Sequence, residues 1–600
     1  MEKTNEKKNR FKTYFSNRKD RILPATLISL AISLIIFLSV PLDIYSANAK
    51  ELRFMFSDIL GRLLLCGLGV ALILFVTQYF VPQIIYKILR GLYLSIAIML
   101  FLQSNYLNIG LTSLAGDDAI TVTEMVGKST VVVNTIIWSV VVIGITAASI
   151  FVKKIKIVRL TALVLTAIVL LPTFVTTSVN AMTTDFSKGS AFEEMKEEEP
   201  NYVPRFLTTK NLNNVATDKN VVVFVIDRLD NEKYVEPNLH KYTHYFNSWG
   251  GFTYFNDNLS MYGRTYPSVA YMLTGQEFQP EERRKEYFLR AFKDNLTLSK
   301  LNQEGYSVNF YTDTYYGYYD AYYLPDYINN TMSASEDSLY RETTQIHRLF
   351  RANMMMGLYR LLPFKLKDYV GGVSSTSLNK YVVYKSDELT HPQASTDMKD
   401  AFDEITKQDF SNDGDKQFSF IHISGCHSVP YDDNWKTAKG KTKNNINVSL
   451  KNSFKIIDEY IAEMKKLGVY DNSTIIITGD HGYADDNLKL LSKPKITGLF
   501  VKPASTSTGN LVTNTAQVSH ENLWGTIFAS EGITFDETIY GKSVFDIPEG
   551  VDQTRKYVWH RFDVTRTHFS ENVYQITGSG KKFSTCAKTS TKEFKRELYD

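Results

Sequence analysis

The sequence predicts five transmembrane helices followed by an α/β domain with a mainly parallel central sheet flanked by helices. Three observations carry that prediction. The first 180 residues hold five apolar runs, each near the ~20 residues needed to cross the hydrocarbon of a bilayer. From Asn220 onward, short β-branched runs alternate with helical stretches, the pattern of parallel strands joined by crossover helices. Only three cysteines occur in 600 residues, which excludes a disulfide-dense scaffold and any CxxC zinc or redox site.

The spans read as Ile22 to Val40, Ile59 to Phe80, Ile88 to Leu107, Thr130 to Val152 and Ile157 to Val179. The third is the least clean, because Arg90 lies near its start and Pro82 and Gln83 precede it. Loop charge orients the set. Lys3, Lys7, Lys8, Arg10, Lys12, Arg18, Lys19 and Arg21 precede the first span, and Lys153, Lys154, Lys156 and Arg159 join the fourth to the fifth. The alternate loops carry Asp43, Glu51, Asp58, Asp117, Asp118 and Glu124. The positive-inside rule therefore places the N-terminus in the cytoplasm, and an odd number of spans places the C-terminal domain outside the cell. The expected organisation is a cytoplasmic tail (1–21), a five-span domain (22–180), a polar linker (181–217) and an outer domain (218–600).

Charge excludes one class of partner. With 67 basic and 64 acidic residues the net charge is +3, too balanced for binding nucleic acid through bulk charge. The linker's acidic cluster, Glu193 to Glu199, reads as a solvated run. Residues 550–600 read as a basic tail, either held against anionic lipid or solvated.

Three places in the outer domain carry chemistry. The run Val221 to Ile226 is continuous enough for a strand buried on both faces, and Asp227 follows it at the carboxyl end, where open parallel sheets bind ligands. In isolation Asp227 also fits a capping role. The run Thr474 to Thr478 leads into Gly479-Asp480-His481-Gly482, where a carboxylate and an imidazole can share one metal ion if the backbone turns sharply. Between them, Thr265 in Gly263-Arg264-Thr265-Tyr266-Pro267-Ser268 stands where a helix begins. There it either caps the helix or, with a metal and the helix dipole beside it, acts as a nucleophile.

The order Asp227, Thr265, Asp480-His481, in the contexts VVVFVIDRLD, GRTYPSVAYMLTG and STIIITGDHGY, resembles the alkaline phosphatase/sulfatase superfamily. The resemblance spans roughly residues 218–545 and includes the runs Thr497 to Pro503 and Val518 to Phe528. It implies an alkaline phosphatase-like outer domain and one divalent ion held by Asp227, Thr265, Asp480 and His481. Thr265 is then the group that attacks phosphorus. Mn²⁺ suits the mostly oxygen shell, with Mg²⁺ or Zn²⁺ as alternatives.

Within that superfamily, sulfatases convert Cys or Ser in C-x-P-S-R to formylglycine. This chain has Thr265-Tyr266-Pro267-Ser268-Val269, so the conversion is excluded. Two-metal members need an Asp where this chain has Ile423. The stretch His422 to Tyr431 resembles the N-H-x-P-[FY] element of lipoteichoic acid synthases and related phosphoglycerol transferases, with one extra residue before the proline. The match makes His427 a catalytic acid/base or substrate-binding residue, with a structural role as the alternative. Two departures are Asp227 in place of the usual Glu and the absence of a His in Tyr311 to Tyr316. Arg264 and His520 are further candidates for holding the substrate phosphate. The tyrosine-rich segment Tyr306 to Tyr327 is either a stacking platform or ordinary packing.

The resemblance implies a membrane-bound phosphoglycerol transferase. Phosphatidylglycerol is the expected donor, and a glycerophosphate polymer, teichoic acid or other envelope glycan the acceptor, reached through a phospho-threonine intermediate. Phosphoethanolamine transfer is the nearest alternative, and a non-catalytic envelope-binding protein is another. No nucleic-acid partner is expected.

Overall fold

The computed structural model describes residues 18–49, 52, 54–111, 122–186, 205–279, 281–282, 284–313, 324–333, 341–370, 378, 381–385, 391–427, 431–436, 443–483, 495–562 and 568–595. The chain divides into two compact units.

Among the described residues, the first unit contains five helices long and apolar enough to cross a membrane: α1 (Lys19–Ser46), α2 (Phe56–Phe80), α3 (Gln83–Leu107), α4 (Lys128–Phe151) and α5 (Ile155–Thr183). Each contains or closely overlaps one of the five expected runs. In α1 a π-helical turn, Ile35–Ser39, precedes Pro41, whose missing amide breaks the regular ladder. Arg90 of α3 does not interrupt its helix. Its guanidinium is buried and donates to Ser149 Oγ (2.9 Å) and the Ser149 carbonyl (3.2 Å) on α4. The next residue is Gly91, where a Cβ would stand 2.7 Å from Thr146 Cα, so the two backbones meet at a small residue.

The second unit is built on a seven-stranded sheet. Its strands are β1 (Lys219–Ile226), β2 (Thr253–Leu259), β3 (Ser307–Tyr311), β4 (Lys416–Ile423), β5 (Ser473–Thr478), β6 (Ile496–Lys502) and β7 (Val512–Ser519), in the order β7-β2-β6-β5-β1-β4-β3. All neighbours pair in parallel except β6, which runs antiparallel to β5 and β2. β1, β4 and β5 lie side by side at the centre and are almost wholly buried, which accounts for their unbroken apolar runs. Helix α6 (Glu236–Trp249) packs against helix Lys443–Lys466, with Trp249 Nε1 donating to Asp458 at 2.7 Å.

Residues 550–600 are not a loose basic tail. Their described part forms an antiparallel sheet of β8 (Thr554–Phe562), β9 (His568–Thr577) and β10 (Cys586–Lys595). Lys588 and Lys592 lie on a mostly exposed β10, and such a run of lysines reads in the sequence as solvated charge. β8 also continues into the loop before Thr265: Val558 exchanges main-chain hydrogen bonds with Met261 (2.9 Å) and Gly263 (3.1 Å). The buried Arg555 guanidinium fixes the sheet to Asp257 Oδ1 at 3.0 Å.

One segment of the sequence that follows β3 belongs to the first unit. The described part of residues 342–383, with helix α8 (Ile346–Leu361), packs there. Leu349, Ala352, Met356 and Leu361 join one buried cluster with Val40, Leu42 and Tyr45 of α1. Arg360 pairs with Asp43, and its carbonyl accepts from Asn108 Nδ2 at 3.0 Å.

Candidate active site

The site forms where three parallel strands end together. In β1, β4 and β5, Val225 stands opposite both His422 and Thr478. Side chains alternate along a strand, so residues two apart share a face. Asp227 lies two positions beyond Val225 and Asp480 two beyond Thr478, which brings both carboxylates and His422 to one place. Asp227, His422 and Asp480 each offer a ligand atom within 4.8 Å of the others, and all three are buried.

Two turns hold this arrangement. Arg228 takes a left-handed conformation (φ 59°), and its amide donates to Asp480 Oδ1 at 2.9 Å. Asp230 spans both turns: one carboxylate oxygen accepts from the Lys233 amide (2.7 Å), the other from the Tyr483 amide (2.8 Å). At Gly479 a Cβ would stand 2.8 Å from Leu229 Cβ, so the close approach of the two turns requires glycine.

Thr265 is the first residue of helix α7 (Thr265–Thr274), with Arg264 in extended backbone at the cap. The Thr265 hydroxyl lies 3.2 Å from His481 Nε2. His481 Nδ1 lies 2.6 Å from the Gly482 carbonyl, which only accepts, so the proton sits on Nδ1 and Nε2 presents its lone pair. That nitrogen is 3.9 Å from Asp227 Oδ1 and 3.6 Å from Asp480 Oδ2. Of the four residues expected as ligands, Asp227, Thr265 and Asp480 thus each lie within 3.9 Å of His481 Nε2.

Electrostatics favours a cation here. Burial, and then the nearby Asp480 charge, hold the Asp227 carboxyl well above the usual carboxylate range. For Asp480, burial is outweighed by His481, His422 and two backbone amides, and its carboxyl is pulled down. Asp227 Oδ1 and Asp480 Oδ2 are buried and accept no hydrogen bond among the described residues. Two facing carboxylates with unsatisfied buried oxygens are costly alone, and a divalent cation relieves both costs. The donor set of carboxylate, hydroxyl and imidazole fits such an ion.

The remaining predicted residues are distributed around this cluster. His520 is buried behind it. Its Nε2 donates to the Gly479 carbonyl (3.0 Å) and its Nδ1 lies 3.5 Å from Ser268 Oγ, which itself donates to the Asp480 carbonyl (2.5 Å). Burial pushes the pKa of both His481 and His560 down, and the nearby Arg264 charge adds a smaller push in the same direction. His427 lies in the turn after β4, half-buried, with its amide donating to the Ser424 carbonyl (2.9 Å); the hydrogen bonds above do not include it. Of the tyrosine-rich segment, residues 314–323 lie outside the described residues. Tyr306 donates to Glu531 (2.6 Å) and Tyr311 to the Lys210 carbonyl (2.9 Å), as packed tyrosines do.

Sequence reasoning missed His422, Arg228 and Ser268. His422 was visible as a polar residue inside an apolar strand run, one residue before the strand's end. The role of Arg228 depends on a backbone conformation that no side-chain pattern announces.

The Sulfatase family model matches residues 219–528, more than half of the chain. No curated protein matches. Among solved structures, lipoteichoic acid synthase LtaP from Listeria monocytogenes is similar at 14% identity, with a TM-score of 0.33, over 65% of this chain and 94% of that one. An alkaline phosphatase superfamily protein from Vibrio parahaemolyticus is similar at 12% identity, with a TM-score of 0.34, over 66% and 86%. The phosphonate monoester hydrolase SpPMH from Silicibacter pomeroyi is similar at 11%, with a TM-score of 0.33, over 63% and 89%. Likenesses this distant carry no argument about substrate. The family match and the strand-end constellation agree, and the chain belongs to the Sulfatase family.

Proposed function

We propose that this protein is a multi-pass membrane phosphotransferase that moves glycerol phosphate from phosphatidylglycerol to a polymer of the cell envelope, on the outer face of the membrane. One observation carries the reading. A threonine hydroxyl at a helix N-terminus lies 3.2 Å from His481 Nε2, beside two buried carboxylates. Threonine at this position supports phosphoryl rather than sulfuryl transfer, because it cannot become formylglycine. The five apolar helices support a donor that shares the membrane with the enzyme, which raises its effective concentration.

Asp227, Thr265, Asp480 and His481 hold the divalent ion, Mn²⁺ by this reading. When bound it lowers the pKa of the Thr265 hydroxyl and neutralises phosphate charge. Thr265 loses its proton to solvent and its Oγ attacks phosphorus. The Oγ–P bond forms as the bond to the diacylglycerol oxygen breaks, and His427 protonates that oxygen. In the second displacement the acceptor hydroxyl gives its proton to His427, its oxygen bonds to phosphorus, the Oγ–P bond breaks, and the released Thr265 Oγ regains a proton from solvent. Arg264 and the amides at the start of α7 hold the phosphate oxygens.

The test uses the full chain in liposomes containing fluorescent phosphatidylglycerol. Wild type releases fluorescent diacylglycerol and gains the mass of one glycerol phosphate on Thr265. Release that persists unchanged in Thr265→Ala overturns the reading.

A further inference from the structure

His422 belongs to none of the roles above, yet it sits at the centre of the site. It is 1% exposed, so the ring has no face open to a lipid head group or a glycan. It stands on β4 beside β1, opposite Val225 and on the face that Asp227 continues. Its neighbours in the strand, Phe420, Ile421 and Ile423, are core residues.

Two contacts define the ring. Nδ1 lies 2.9 Å from Thr312 Oγ1, also buried, just beyond β3. A ligand atom of the ring lies within 4.8 Å of carboxylate oxygens of Asp227 and Asp480, and among the described residues Asp227 Oδ1 and Asp480 Oδ2 accept no hydrogen bond. With metal–ligand bonds of about 2.1 Å, adjacent ligand atoms stand roughly 3 Å apart and opposite ones roughly 4.2 Å. The spacing of the three residues approaches that range. Metal-bound histidines characteristically fix their second nitrogen through a hydrogen-bond partner, the part Thr312 plays here.

We infer that His422 is a further ligand of the same divalent ion, through Nε2, so that the centre has two imidazoles rather than one. The inference rests on the reading that Asp227, Thr265, Asp480 and His481 hold an ion. A second nitrogen donor shifts preference from Mg²⁺, which takes oxygen, toward Mn²⁺ or Zn²⁺. Thr312 is a positioning residue that orients the ring.

The experiment loads the full chain in nanodiscs with Mn²⁺ and counts bound histidine nitrogens by pulsed electron paramagnetic resonance. Wild type is expected to bind one ion with two nitrogen couplings, and His422→Gln with one. His422→Gln weakens Mn²⁺ binding at least tenfold while changing Mg²⁺ binding much less. Thr312→Val keeps both couplings but weakens Mn²⁺ binding, by about 10-fold or more. A single coupling in wild type overturns the inference and leaves the metal centre standing, whether or not the variants fold. Couplings unchanged in His422→Gln also overturn it. Wild type that binds no ion overturns the metal centre itself.

Discussion

The Thr265 hydroxyl and the His481 imidazole meet at 3.2 Å although 216 residues separate them in the sequence. The contact depends on the hydroxyl rather than on threonine's methyl group. Thr265→Ser is therefore expected to retain diacylglycerol release within about 10-fold, while Thr265→Ala loses about 10³-fold or more. Initial rates with fluorescent phosphatidylglycerol decide this.

Arg228 supports Asp480 through its backbone. With φ at 59°, the amide reaches Asp480 Oδ1 at 2.9 Å. Glycine adopts this conformation freely and valine does not. Arg228→Gly should keep Mn²⁺ binding and fold normally, whereas Arg228→Val should cost ~1–3 kcal/mol. Denaturant unfolding of the detergent-solubilised chain measures the difference, and equal losses in both variants refute a backbone role.

His520 makes stability sensitive to acid. Burial pushes its pKa down to about 4. An unfolded histidine takes up its proton near pH 6.5, so between those values the unfolded state binds more protons than the folded one. The contribution is complete above pH 6.5, declines as the pH falls, and is gone below about 4. It is of the order of 3 kcal/mol. The difference in unfolding midpoint between wild type and His520→Asn should shrink across that window. His422, also pushed down to about 4, is present in both proteins and cancels.

The C-terminal sheet seats on the loop before Thr265. A Cβ on Gly263 would stand 2.7 Å from Trp559 Cε3 and 2.9 Å from the Tyr557 hydroxyl. Gly263→Ala should therefore cost ~1–3 kcal/mol and lower transfer activity together. A variant with wild-type thermal stability and rate counts against this seat.

Orientation is open to direct labelling. With Cys66 and Cys586 replaced by serine, a membrane-impermeant maleimide on intact cells should label Lys582→Cys and spare Lys153→Cys. The reverse pattern inverts the proposed topology.

The sequence was most legible where one physical requirement dominates. Crossing hydrocarbon demands length and apolarity, so the five helices were plain, and even Arg90 only marked where α3 meets Ser149 of α4. Strands buried on both faces end abruptly, which exposed Asp227 and Asp480-His481. His422 was hidden because its meaning depends on register with Val225, a relation between strands 197 positions apart that one strand cannot reveal. β8 to β10 were hidden because Lys588, Lys592 and Lys595 read as solvated charge, whereas the strand pairs through its backbone. The amphipathic α8 resembled any helix of the α/β unit, and only its packing with Val40 and Tyr45 places it elsewhere.

That last placement bears on shedding. A protease that cuts between residues 187 and 204 severs the connection from α5 to β1, yet the C-terminal fragment still contains residues 342–383, whose packing lies with the helical unit. Leu349, Ala352, Met356 and Leu361 would have to leave their apolar surroundings before that fragment could diffuse away. A single nick should therefore leave both pieces in the membrane fraction, and release of the second unit would demand further cuts on both sides of residues 342–383 or the unzipping of α8.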